Sequence, residues 1–306
     1  MVPGRSYRGT IAVFLAAPVL IYTGFLILPI VDSLRLSFFA EQPGGAARFV
    51  GAANYAALFG DPSIAPRFWG ALRHNFVFFA VHMLAQNPIG LLLAALLSTR
   101  HLALRGLYRT LIFTPTMLSV VIVGFIWQLL LSPLWGVGHR LLSFVWLGGV
   151  FRPWLGLQST ALVTLALISV WQFVGIPMML FYAALLAIPD ELTEASIIDG
   201  AIPLQVFWRI KFPLILPTVG IVSILTYVGN FNAFDLIYAV KGALAGPAFA
   251  ADLLGTFFYR TFFGYQLQLG NANLGAAVAT VMFLIIMAGV CVYLFVIQRR
   301  ITRYEL

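Results

Sequence analysis

Apolar runs of about 20 residues recur along the whole chain, and no other feature limits its fold as strongly. A helix of that length crosses the roughly 30 Å hydrocarbon core of a bilayer. Lipid offers the backbone no hydrogen-bond partners, so spanning segments must be helices or closed barrels. Barrel strands alternate in polarity over about 10 residues, whereas these runs are continuous, so helices fit and strands do not. Composition agrees: 61% of the 306 residues are hydrophobic and 9% are charged, against about one quarter charged in soluble domains. The expected fold is an all-α polytopic membrane protein with about six transmembrane helices.

The first helix is expected over Ile11 to Leu28, after Arg5 and Arg8. Its length, and the absence of a small-residue cleavage pattern before Pro29, Asp32 and Arg35, argue for a retained span and against a signal peptide. From Asp32 to Arg73 the chain is rich in Gly, Pro, Ala and polar residues and reads as an external loop with short helices. Further helices are expected over Phe76 to Leu97, Leu111 to Leu131, Ala161 to Ala187, Leu214 to Val240 and Gly275 to Ile297. His82, Gln86, Asn87 and Pro88 interrupt the second, and a face carrying them should look toward protein or water. Trp135, Trp146 and Trp154 suit a membrane interface. The organisation expected is residues 1–70 as tail, first span and external loop, 71–298 as a transmembrane core with a cytoplasmic loop at 188–213, and 299–306 as a tail.

The net charge of +8 comes from scattered residues that form no basic stripe, so nucleic acid is not an expected partner. Arg5, Arg8, Arg100, Arg105, Arg109, Arg209, Lys211, Arg299, Arg300 and Arg303 fall on one side of the spans, which places that side and both termini in the cytoplasm. Arg35, Arg48, Arg67, Arg73, Arg140, Arg152, Lys241 and Arg260 fall opposite and weaken the bias. The lone Cys291 excludes an intrachain disulfide. Neither of the two lysines, Lys211 and Lys241, follows a glycine, so the sequence has no Walker A phosphate loop. His74, His82, His101 and His139 match no metal or nucleophile spacing, so no catalytic residue and no metal site is expected.

The most charged connection between spans runs from Ile188 to Pro217. Pro189 suits a first helical position, Asp190 and Glu191 complement the helix dipole, and Gly200 suits a left-handed cap, which predicts a short helix over Asp190 to Asp199. Leu192, Ala195 and Ile198 form an apolar stripe on it. A second short helix, Leu204 to Phe212, should end against Pro213. Spacing alone describes an amphipathic hairpin on a membrane surface. The order Glu194-Ala195-Ser196, Asp199-Gly200-Ala201, Phe207, Ile210 and Pro213, however, resembles the EAA loop of permease subunits in binding-protein-dependent ABC importers. Ser196 stands where the family usually has a second alanine, and Lys211-Phe212 where it has Thr-Leu. Phe49-Val-Gly with Asn54-Tyr55, Arg109-Thr110, Trp171, Phe234-Asp235-Leu-Ile-Tyr238 and Tyr259-Arg260 extend the resemblance to carbohydrate-type permeases. Lys241-Gly242-Ala-Leu-Ala-Gly246-Pro247 departs from the family's Thr-Gly-Gly-Gly-Pro.

The resemblance implies the type I ABC importer permease fold and a non-catalytic transport subunit. Glu194, Ala195, Ser196, Asp199, Gly200, Ala201 and Phe207 would then couple the spans to a separate ATPase. It also implies a second, related permease chain, a dimer of ATPase subunits that bind ATP and Mg, and a periplasmic or lipid-anchored solute-binding protein, all at the bacterial inner membrane. This chain itself would carry no cofactor. Gln172, Phe173, Ile176, Asn230 and Ala233 are the expected solute contacts, for a sugar or sugar derivative, and Asp235 is expected to be structural or gating. On an ideal helix Asn230 and Asn232 lie about 200° apart and should not share a lumen, while Asn230 and Phe234 share a face. An ion-coupled secondary transporter, a permease for a polyol or glycerol phosphate, and a membrane-embedded sensor remain as alternatives.

Overall fold

The computed structural model describes residues 8–41, 47–99, 102–144, 146, 148–266 and 268–301, and the expectations placed on Arg5, Arg100, His101 and Arg303 fall outside these. Four helices are long and apolar enough to cross a membrane: Ile11–Leu36, Ala65–Leu97, Leu216–Lys241 and Ala272–Ile297. Two bent pairs, Arg105–Met117 with Val120–Leu130 and Ala161–Phe173 with Gly175–Leu186, complete six spans if each pair counts once. The architecture is almost entirely helical, as the apolar runs require.

Several boundaries differ from those expected, each for a local reason. The first helix does not stop before Pro29 but runs on to Leu36, with Asp32 and Arg35 paired at 3.5 Å on its exposed side. A π-helical turn at Thr23–Ile27 makes this possible: Leu28 N–H bonds to Thr23 O, widening the turn just before the residue that has no N–H to give. The same device recurs at His82–Gln86 before Pro88 and at Phe207–Lys211 before Pro213. In the last case it corrects the expected stop at Pro213, because the short helix beginning at Pro203 continues through the proline to Leu214. The third span is not the single rod its apolar run indicated. A 3-10 turn at Thr114–Met117 and an extended Leu118 bend it by 96°.

Internal contacts divide the chain into two compact units, residues 1–65 with 261–281 and residues 66–260 with 282–306, where the sequence reading had placed a boundary at 70. In the first unit, the expected loop of short helices contains a β-hairpin, Phe39–Glu41 against Ala47–Phe49. The Asn54-Tyr55 pair fastens it: Asn54 Nδ2 donates to the carbonyls of Ser37 and Phe39 at 2.8 Å, and the Tyr55 hydroxyl meets Ser37 Oγ at 2.6 Å.

In the second unit, association between spans cannot rest on hydrophobic burial, since lipid is as apolar as leucine. It rests on close packing, which small residues permit. Gly90 shows the closeness: a Cβ there would sit 3.1 Å from Met178 N and from the Pro177 ring. Ala94, Leu97, Met178, Phe181, Leu185, Ile215 and Val222 extend this contact into one buried cluster, against which Phe207 and Phe212 also pack.

Candidate functional site

Two places in the second unit gather the residues singled out by sequence. The first is the elbow between the fourth and fifth spans. Its helix, Asp190–Ile198, carries Asp190 and Glu191 in the first turn and ends at Asp199. Gly200 then adopts φ +84°, a conformation that strains any residue with a Cβ, and three bonds close the turn: Asp199 N to Ala195 O, Gly200 N to Ile197 O and Ala201 N to Ser196 O. Ser196 is buried and its hydroxyl donates to Thr193 O at 2.7 Å, while Leu192, Glu194, Ala195 and Asp199 are exposed. Along the apolar stripe exposure rises from 36% at Leu192 to 87% at Ile198. Phe207, like Ser196, differs from the exposed residues of the motif. It turns inward, half-buried, against the cluster around Leu185 and Ile215, with Trp208 edge-on at 5.1 Å. The motif therefore combines an exposed arm with a foot set in the packed spans.

The second place is a cavity of about 450 Å³, inside the range of roughly 300–1,000 Å³ usual for small-molecule sites. Phe173, Ile176, Asn230 and Ala233 line it. Gln172 does not. It is 0% exposed, and its amide donates to Leu118 O at 3.0 Å, holding the bend of the third span while its own carbonyl oxygen stays unpartnered. Asn230 and Asn232 both line the cavity, which corrects the expectation that they could not share a lumen. The helical wheel on which that expectation rested ends at Phe231. Residues 232–234 leave the helix, Phe234 at φ −146°, and a new helix starts at Asp235.

Sequence reasoning placed His82 and Gln86 on an inward face without assigning them to the cavity, yet both line it, with Ser169 and Thr226. The π turn His82–Gln86 rotates them onto that wall. His82 is anchored twice, Nδ1 to Phe78 O at 2.8 Å and Nε2 to Ser169 Oγ at 3.0 Å. Asn230 Nδ2 donates to Thr226 O at 2.7 Å, and Asn75 Nδ2 donates to Asn230 O at 2.9 Å, so the ends of the helices are tied through amides.

A buried ion pair that the sequence did not announce braces the segment after the fifth span. Arg260, 1% exposed, donates to Asp252 Oδ2 at 2.6 Å and to Ala243 O at 2.6 Å, and its guanidinium lies over the Phe249 ring at 4.7 Å. Burial pushes the Asp252 carboxyl above the ordinary carboxylate range, and Arg260 acts against that shift. The arginine is thereby neutralised, and of the basic residues assigned to the far side it is not a free surface charge. Among the described residues, no group of three or more His, Cys, Asp or Glu residues is placed to hold a metal ion.

Comparison with known proteins gives the family from sequence and the fold from structure. A probable ABC transporter permease protein of Bacillus subtilis, YurN, is 32% identical over 89% of this chain and 90% of its own length. The lactose transport system permease protein LacF of Rhizobium radiobacter is 29% identical over 90% of this chain and 88% of its own. The fold is shared with a crystal structure of a bacterial ABC transporter that imports the acidic polysaccharide alginate, at a TM-score of 0.78 and 21% identity, covering 96% of each chain. The model of the binding-protein-dependent transport system inner membrane component family matches residues 86–303, which include the elbow and all the cavity-lining residues except Phe78 and His82. The chain belongs to that family and is a permease of the ABC importer type.

Proposed function

We propose that this permease imports a sugar or sugar derivative, forms half of the translocation path, and receives its driving force through the Glu194–Gly200 elbow from a separate ATPase. The carrying observation is the elbow's construction: an apolar stripe that grows exposed toward Ile198 on a short helix, joined to a foot, Phe207, packed in the spans. That foot touches the cluster containing Val222 and Leu180, and both also line the cavity. A push on the exposed arm thus has a packed route to the solute site. The mechanism is alternating access. ATP and Mg, held by two partner ATPase subunits, close those subunits on each other. The elbow carries the motion to the spans, and the cavity opens toward a loaded solute-binding protein.

Sugar chemistry is supported by the amide and aromatic lining, since Asn230 can address hydroxyls while Phe173 and Phe234 meet C–H faces, and by the lactose permease among the relatives. A second permease of related fold completes the path, lipid surrounds the spans, and both termini lie in the cytoplasm. This chain binds no cofactor of its own. Glu194, Ala195, Ser196, Asp199, Gly200 and Ala201 present the docking arm; Phe173, Ile176, Asn230 and Ala233 contact solute, with Gln172 supporting them from behind. The test is reconstitution with the partner permease, ATPase subunits and solute-binding protein in liposomes. Sugar uptake that requires ATP inside is the expected outcome. Uptake by this chain alone on an ion gradient would refute it in favour of a secondary transporter.

A further inference from the structure

The polar groups around the cavity are unequal in what they offer a solute. Phe78 O only accepts, so His82 Nδ1 carries a proton; with the ring neutral, Nε2 accepts, and Ser169 spends its one hydroxyl proton there. Thr226 likewise gives its proton to Val222 O at 2.8 Å, with Asn87 Oδ1 at 3.2 Å. Neither hydroxyl therefore has a proton left to give a solute. Gln86 and Asn230, 7% and 5% exposed, each keep a carbonyl oxygen with no hydrogen-bond partner. Asp235 adds a carboxylate at the first position of its helix. Among the described residues, no Lys or Arg lines the cavity.

From this we infer that the cavity selects a hydrogen-bond-donating solute without negative charge, a neutral polyhydroxy compound or its amine derivative, and rejects phosphorylated and carboxylated sugars. This deepens the proposed function and rests on it. The Ser169 and Thr226 hydroxyls can only accept from a solute, so hydroxyl or ammonium donors match them. An anion would instead meet these acceptors and Asp235, with no cation among the described lining residues to form the charge-assisted bonds by which carboxylates and phosphates are held. The sign of the cavity thus separates this chain's solute from an acidic polysaccharide, even though the fold is that of an alginate importer's permease.

Saturation-transfer NMR on the assembled transporter in nanodiscs, with no solute-binding protein to pre-select, tests this using glucose, glucosamine and glucuronate at equal concentration. Transfer to glucose and glucosamine should exceed that to glucuronate by about tenfold or more, equivalent to ~1.4 kcal/mol, as one uncompensated like-charge contact in a half-wet site gives. Asp235→Asn should narrow that ratio, and Ser169→Ala should lower transfer to the neutral probe. Glucuronate matching glucose, or an unmoved ratio in Asp235→Asn, would overturn the charge inference and leave the sugar reading standing. Transfer to none of the three by a complex that still imports its solute would overturn the sugar reading, and this inference with it.

Discussion

Gly200 offers the sharpest perturbation of the elbow because its requirement is purely conformational. A Cβ built there meets nothing within 4 Å, so a side chain clashes with no neighbour, and the whole penalty comes from holding φ +84°. For alanine that penalty is about 1–2 kcal/mol, enough to lower the population of the closed turn about 5–30-fold. Asparagine tolerates the left-handed region and should lose less. Proline should lose most: its φ is fixed near −65°, and it also removes the N–H that bonds to Ile197 O at 3.0 Å. The assay is ATP hydrolysis by the reconstituted complex, with and without solute-loaded binding protein. Stimulation should fall in the order Gly, Asn, Ala, Pro, while membrane insertion and basal hydrolysis persist. Equal stimulation across the series would refute the idea that this turn transmits force.

Other expectations follow from the packing. Arg260→Met leaves Asp252 buried with only Thr256 beside its carboxylate and should destabilise the detergent-solubilised complex by about 3–5 kcal/mol in thermal unfolding; adding Asp252→Asn should recover much of that loss. Gly90→Leu forces an isobutyl group against Met178 and Pro177 and should cost about 1–3 kcal/mol in the same measurement. Asn230→Ala, in a complex that still assembles, should raise the apparent Km for solute; an unchanged value removes Asn230 from the solute site.

What was legible in the sequence follows from which forces act locally. The spans were readable because lipid enforces long apolar runs, and the inward face of the second helix because His82, Gln86 and Asn87 have no business in lipid. The elbow was readable residue by residue: acids at its start, Gly200 at its end. Breaks within spans were not. The stretch Leu111 to Leu131 bends by 96° where Thr114, Pro115, Thr116 and Ser119 gather inside an otherwise apolar run, and the helix ends at Phe231 with no proline to mark it. Prolines misled in the other direction at Pro29 and Pro213, since a preceding π turn lets the helices pass; Pro88, inside the expected second helix, is passed the same way. The Asp252–Arg260 pair joins a residue just before the helix Leu254–Phe263 to one about two turns inside it, and no apolar run marks it. The cavity's composition depended on the break at 232–234, and with it the company of Asn232 and Asn230.

The most direct test of the elbow's role is disulfide cross-linking. With Cys291 replaced by Ala, single cysteines at Leu192, Ala195 and Ile198 in the assembled, transporting complex should each bond to a cysteine in one surface groove of the ATPase, with yields that change when ATP binds. Efficient capture of the ATPase by none of these positions, in complexes that go on importing solute, would contradict the account.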